Sequence, residues 1–221
     1  MTVRRPVVFV GPSLADEAVS WLDGELRPPI KDGDVDALLV RDEPPAAIGI
    51  IDGAVLHRTS ISPKEVVRAI DHGIAVFGSS GVGALRAVEC APYGMIGIGR
   101  IYQEYQSGRI DADDEVAVVY DPATHRALSE PLVNMRFAMA AAVSRAVATK
   151  QTADRFLEIA KSLYFPQRSV ATVLPRLAAE INEAECAALA RFLAEDAPNA
   201  AREDAIALLD AMTRALSSRG A

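Results

Sequence analysis

The chain is poor in the residues that build metal centres, disulfide frameworks and nucleic-acid platforms. It holds two cysteines, Cys90 and Cys186, and three histidines in 221 residues. With neither CxxC nor CxH spacing, the cysteines make no disulfide framework, and both read as free buried thiols. His57, His72 and His125 stand too far apart in sequence to point to a zinc site. Aromatics are 5% of the residues, which offers no stacking platform for single-stranded nucleic acid. A basic excess is also missing. Residues 1–120 carry 18 acids against 11 Lys and Arg, and residues 121–221 carry 12 of each. An acidic front half repels a phosphate backbone, so no nucleic-acid partner is expected. No apolar run approaches the ~18 residues of a membrane span. The first run, Val7-Val8-Phe9-Val10, stops at Gly11-Pro12, too soon for a signal peptide. The expectation is a cytoplasmic protein without membrane attachment.

About half the residues are apolar, enough for a sizeable core of Ala, Val, Ile and Leu. Three short continuous apolar runs read as strands buried on both faces: Val7-Val8-Phe9-Val10, Ala47-Ile48-Gly49-Ile50-Ile51 and Ile74-Ala75-Val76-Phe77. Glu115-Val116-Ala117-Val118-Val119-Tyr120 reads as a fourth. Helical signals alternate with them. Ser13 can cap a helix running to Leu22, with Asp16 and Glu17 in its first turn. Leu26-Arg27-Pro28-Pro29 is extended, and Asp34 caps a short helix over 35–40. Ser62-Pro63-Lys64-Glu65 is a capping box with Pro at the first helical position, and that helix ends at His72-Gly73. Further helices are expected over 84–90 and 98–106. The alternation implies an α/β fold with a doubly wound, mostly parallel sheet. From Asn134 the pattern becomes Ala-rich and helical, over 134–149, 152–164, 169–182, 183–195 and 202–219. The expected organisation is an α/β core over 1–133 and a C-terminal helical subdomain over 134–221.

Ligands of doubly wound folds bind beyond the carboxyl ends of the strands. The loops there are Gly11-Pro12-Ser13, Asp52-Gly53 and Gly78-Ser79-Ser80-Gly81-Val82-Gly83, and they are expected to converge on one crevice. The last presents backbone N–H groups at a helix start, suited to a phosphate, carboxylate or oxyanion. It is neither a Walker A loop nor GxGxxG, and it departs from G-x-S-x-G at Val82. Ser80 reads as a nucleophile, as an anion-binding hydroxyl, or as a plain helix cap. Arg86 can grip a carboxylate, or pair with Glu89 three residues on. Asp111, Asp113, Asp114 and Glu115 form an acidic knot, which can supply a general base or Mg²⁺ ligands or cap neighbouring helices. Lys64 can reach an anion, and His57 is the histidine best placed for acid–base work.

On these residues the chain resembles the TfuA-like family along residues 7–140. The segments that carry the resemblance are Phe9-Val10-Gly11-Pro12-Ser13-Leu14, Pro28-Pro29 with Gly33-Asp34, Ile50-Ile51-Asp52-Gly53, and Lys64-Glu65. The longest runs from Val76-Phe77-Gly78 through Gly83-Ala84-Leu85-Arg86-Ala87 to Glu89. Then follow Tyr93-Gly94-Met95, Gly97-Ile98-Gly99, Asp113-Asp114-Glu115-Val116-Ala117-Val118, and Ser129-Glu130-Pro131-Leu132-Val133-Asn134 with Arg136. Three positions depart from the family's common pattern: Gly81 and Val82 stand in place of a second Ser and a Met, and Pro63 in place of a His.

The resemblance implies a partner of YcaO-type enzymes, which use ATP to activate a backbone amide oxygen before sulfide replaces it. It further implies that the chain supplies that sulfide, by recruiting and hydrolysing a thiocarboxylated ubiquitin-like sulfur carrier. ATP chemistry would then belong to the partner, in keeping with the lack of a P-loop. The alternative is a non-catalytic adaptor that brings the carrier to YcaO. The candidate set is Ser80, Arg86, Asp52 and Asp113 for the chemistry. Ser13, Gly11, Lys64, Ser79, Gly81, Gly83, Glu89, Asp114, Asn134 and Arg136 are candidates for holding substrate. No metal or cofactor is expected.

Overall fold

Apolar runs with no polar alternation become strands, because a sheet covered on both faces buries every residue. The computed structural model describes residues 4–15, 24–55 and 60–218. Its strands are β1 (Val7–Phe9), β2 (Glu25–Arg27), β3 (Ala47–Ile50), β4 (Ala75–Gly78) and β5 (Ile96–Gly97). They form one all-parallel sheet in the order β2-β1-β3-β4-β5. The first helices are α1 (Asp34–Leu39), α2 (Pro63–Asp71), α3 (Val82–Cys90) and α4 (Arg100–Gln106). The rest are α5 (Leu132–Ser144), α6 (Lys150–Ser162), α7 (Val170–Leu177), α8 (Glu183–Glu195) and α9 (Ala200–Ser217).

Period-two alternation sorts the strand side chains between two layers. Val7, Phe9, Ile48, Ile50 and Val76 pack against α1, α2 and α3 through Val35, Leu38, Val66, Ala69, Val82 and Ala87. Val8, Ala47, Ile51 and Phe77 face the other way, onto Ala205, Leu208, Leu209 and Met212 of α9. The last helix of the chain therefore covers the second face of the sheet. α5 to α8 build a separate apolar cluster around Leu132, Met135, Phe156, Val173, Leu189 and Phe192. Their starts are capped as their sequences direct. Thr149, Ser169, Asn182 and Asn199 each accept a backbone N–H three residues on, opening α6 to α9.

The architecture is α/β with a helical C-terminal segment, as the alternation of patterns predicts. The capping box at Ser62 and Glu65 is present. Three particulars differ. The strand expected over 115–120 does not form: Asp113–Glu115 is a 3-10 turn and the rest is irregular. Its backbone groups bond within a local tongue instead. Val119 N–H meets Ser129 Oγ, Val119 O accepts from Leu128 N–H, and Tyr120 bridges Ala127 antiparallel. Val116 is buried among Leu85, Ile101 and Val133, beneath helices, so an apolar run here signals packing, not a ladder. The fifth strand is Ile96–Gly97, too short to show a pattern. Cys186 is half-buried, where a buried thiol was expected, while Cys90 is buried. The helix expected to follow Ser13 falls mostly on residues 16–23, and His57 on 56–59, outside the described residues.

Candidate active site at the strand ends

The strand order reverses direction between β1 and β3, since β2 lies on one side of β1 and all later strands on the other. The carboxyl ends of two such strands open a crevice between diverging connections. Asp52 stands there, two residues past β3, and is 3% exposed. Its Oδ2 accepts the N–H of Gly11 at 2.8 Å and of Ser13 at 3.0 Å, and its Oδ1 accepts Ser13 Oγ–H at 2.7 Å. Ser13 Oγ lies 2.8 Å from Ser80 Oγ. Because the single Ser13 hydroxyl proton is directed at Asp52, the Ser80 hydroxyl is the donor in that second bond. The result is a chain Ser80→Ser13→Asp52 assembled from three loops.

Ser80 has φ 60, a backbone setting that non-glycine residues rarely occupy. It sits where β4 turns sharply into α3, a strand-to-helix turn of the kind that carries hydrolase nucleophiles, but here it is fully buried. Two glycines make the turn possible. A Cβ on Gly83 would meet Ile50 O at 1.8 Å, and one on Gly78 would meet Gly83 O at 2.3 Å. Beyond Ser80, the N–H groups of Gly81 and Val82 begin α3 and aim along its positive end. Burial pushes the Asp52 carboxyl up in proton affinity, and the three donors from Ser13 and Gly11 oppose that. A carboxylate so placed holds its charge through hydrogen bonds yet binds a proton more readily than a solvated one.

Ser13, Asp52, Ser80 and Gly81 line a narrow cleft of about 70 Å³, far smaller than a drug-sized ligand pocket and wide enough only for a slender chain end. The facing wall comes from Val116, Val118, Ala127, Glu130, Val133 and Asn134, with Asn199 and Ala201 from α9. Asn134 spans that wall. Its Nδ2 donates to Glu130 Oε1 at 2.9 Å and Asn199 Oδ1 at 3.1 Å, and its Oδ1 accepts Ala201 N–H. The tongue from Tyr120 to Ala127 borders the opening, with the Tyr120 and His125 rings edge to face at 6.2 Å. Burial and then the Asp52 charge push the Tyr120 phenol up, so the tongue lies within electrostatic reach of Asp52.

Several expected site residues lie elsewhere. Arg86 is turned away from Ser80: its Nε donates to Ile61 O at 2.8 Å, and Nη1 pairs with Glu89 at 2.6 Å. At about 100° per residue, Arg86 falls one turn beyond Val82, whose side chain enters the core shared with α2. Arg86 and Glu89 therefore form an ion pair outside the cleft. Asp113 is exposed on the 3-10 turn. Asp114 accepts from the fully buried Arg168 at 2.7 Å, and Glu115 binds Arg136 bidentately at 2.6 and 2.9 Å. Two of the knot's four acids are thus spent on two separate arginines, and Asp111 and Asp113 are exposed. Ser79 donates to Asp204 O on α9, Lys64 is exposed on α2, and Gly83 serves the close approach to β3. Cys90 is no sulfur relay: burial, helped by the Glu89 charge, pushes its thiol up to about 11. Glu130, Asn199 and the Tyr120–His125 pair were not picked out from the sequence. The Asn134 spacing four residues after Glu130 was the available signal.

Among the described residues no helix is long and apolar enough to cross a membrane. No curated protein matches the chain. A family model described as TfuA-like protein matches residues 52–169, just over half of the 221 residues and inclusive of Asp52, Ser80, Glu130 and Asn134. The chain belongs to the TfuA-like family.

Proposed function

We propose that the chain delivers sulfur to a YcaO-type enzyme for peptide-backbone thioamidation, by hydrolysing a thiocarboxylated ubiquitin-like carrier and releasing sulfide. TfuA-like proteins are known as partners in YcaO-related thioamidation, which supports the pathway. One observation carries the hydrolytic part: the Ser80→Ser13→Asp52 chain at a strained strand-to-helix turn, facing a cleft.

In this reading Ser80 Oγ attacks the terminal acyl carbon. Its proton passes to Ser13 Oγ while the Ser13 proton passes to Asp52, whose proton affinity burial raises above that of a solvated carboxylate. The oxyanion forms against the N–H groups of Gly81 and Val82, fixed in place before the reaction. The C–S bond breaks, the sulfur departs with the bonding pair and takes the proton held on Asp52 to leave as hydrosulfide, and water then opens the Ser80 ester. The walls contributed by Pro12, Gly81, Val118 and Ala127 are small, which fits a slender chain end and not a bulky side chain.

The test is sulfide measured after thiocarboxylated carrier is incubated with this protein alone. The hydrolase reading expects release without YcaO or ATP. Release only when both are added supports an adaptor instead, a reading favoured by the complete shielding of Ser80 from bulk solvent.

A further inference from the structure

The cleft holds a second carboxyl group that the step above leaves unused. Asp52 and Glu130 both line it, and no Lys, Arg or His is among the described residues that do. Their settings differ. Three donors converge on Asp52. Glu130 receives one, from Asn134 on Oε1. No buried side-chain oxygen or nitrogen among the described residues lacks a partner, so the second Glu130 oxygen, which no donor meets, opens on free space. That space is the cleft on one side. On the other it is an adjoining pocket lined by Met135, Ala138, Val170 and Leu193. A negatively charged acyl end entering here finds no cation to pair with among the described lining residues.

When two carboxyl groups share a site, the one better supplied with donors keeps its charge and the other keeps its proton. We infer that neutral Glu130 donates a hydrogen bond to the sulfur of the incoming thiocarboxylate and gives that sulfur its proton as Ser80 attacks. The inference rests on the thiocarboxylate reading above. Attack turns the sulfur into a thiolate on a tetrahedral carbon, far more basic than the thiocarboxylate, so the Glu130 O–H bond breaks and an S–H bond forms. Glu130 is left as a carboxylate at the stage when Asp52 holds the Ser13 proton, so one of the two carries the charge throughout. The sulfur leaves as hydrosulfide or, with the Asp52 proton, as hydrogen sulfide. Burial pushes the Glu130 carboxyl up, with the Asn134 bond opposing. The groups around Glu130 are few. Asn134 and Asn199 are uncharged, and Arg168 offers its backbone O while its guanidinium is bound to Asp114. Asp52 lies across the cleft, and Tyr120 and His125 stand on the tongue.

The probes are a short synthetic peptide ending in a thiocarboxylate and its twin ending in a carboxylate. Glu130→Gln keeps the acceptor for Asn134 and cannot ionise. In the wild type, affinity for the carboxylate peptide is expected to fall by about tenfold per pH unit once Glu130 ionises, the slope of one linked proton. In Glu130→Gln the affinity is expected to be flat with pH, and kcat on the thiocarboxylate peptide about 100-fold lower with little change in KM. His125→Gln is expected to keep the wild-type slope. An unchanged slope in Glu130→Gln, wild-type sulfide release by that variant, or loss of the slope in His125→Gln each overturns the assignment. The two readings fail separately. Proton-linked binding without sulfide release sinks hydrolysis and leaves the acyl site standing. Sulfide release without the proton link does the reverse.

Discussion

Asp52 holds two loops together and, in the proposed reaction, accepts a proton, and substitutions separate the two roles. Asp52→Asn turns an amide towards donors that need an acceptor, so the Gly11 and Ser13 N–H groups are poorly met. The expected cost is about 1–3 kcal/mol of stability, with sulfide release down about 100-fold or more. Ser13→Ala keeps its own N–H on Asp52 and removes only the bridging hydroxyl, so release falls while the melting temperature stays close to wild type. Arg86→Ala does the opposite: Ile61 O and Glu89 lose their donor, the melting temperature drops, and release is kept. Melting scans run beside rate assays on the three variants check this pattern. A rate collapse in Arg86→Ala with stability intact would contradict the geometry. Ser80, Ser13 and Asp52 were legible in the sequence because each follows a strand, where doubly wound folds gather polar groups. The outward turn of Arg86 was not, because it depends on where α3 meets α2. Glu130 was not either, because its meaning depends on which oxygen faces open space.

At the level of elements, the β4–α3 turn is the tightest joint. Gly83→Ala would drive a Cβ into the Ile50 carbonyl of β3, backbone against backbone, with no side chain able to yield. Gly49→Ala, in the middle of β3, meets the Met212 sulfur at 2.6 Å and Leu208 Cδ2 at 3.0 Å, both ends of flexible side chains. Denaturant melts are expected to show a loss of about 3 kcal/mol or more for Gly83→Ala, and a smaller one for Gly49→Ala. A reversed order would mean that α3 does not sit on β3 as described. Elements with strong local signals were readable: the buried runs at 7–10, 47–51 and 74–77, and the capping box at Ser62. The run at 116–119 misled because a segment buried beneath helices is as apolar as a strand buried in a sheet. What separates them is where the backbone hydrogen bonds go, and here they go to 127–129.

For the molecule as a whole, burial raises the proton affinity of Asp52, Glu65, Glu130 and Asp204 together. Below the unfolded values of 3.8 for Asp and 4.5 for Glu, both states hold these protons. Between those and the raised native values the fold binds more protons than the unfolded chain, so stability falls as pH rises through that window. Glu25, held low by the half-buried Arg41 and Arg27, and Glu104, held low by the exposed Arg109, act in the other direction but are partly screened by solvent. Urea midpoints are expected to decline as pH rises above the unfolded value of 4.5, with a shallower decline in Glu130→Gln; a steeper one in that variant would contradict the placement of its carboxyl. The same buried carboxyls bring the argument back to the cleft, where an attack by Ser80 is the central claim. The measurement closest to it is sulfide release from thiocarboxylated carrier by Ser80→Ala beside wild type, without YcaO or ATP. The account predicts release by the wild type and at least a 100-fold loss in the variant. Equal release by both, from equally folded proteins, would contradict it.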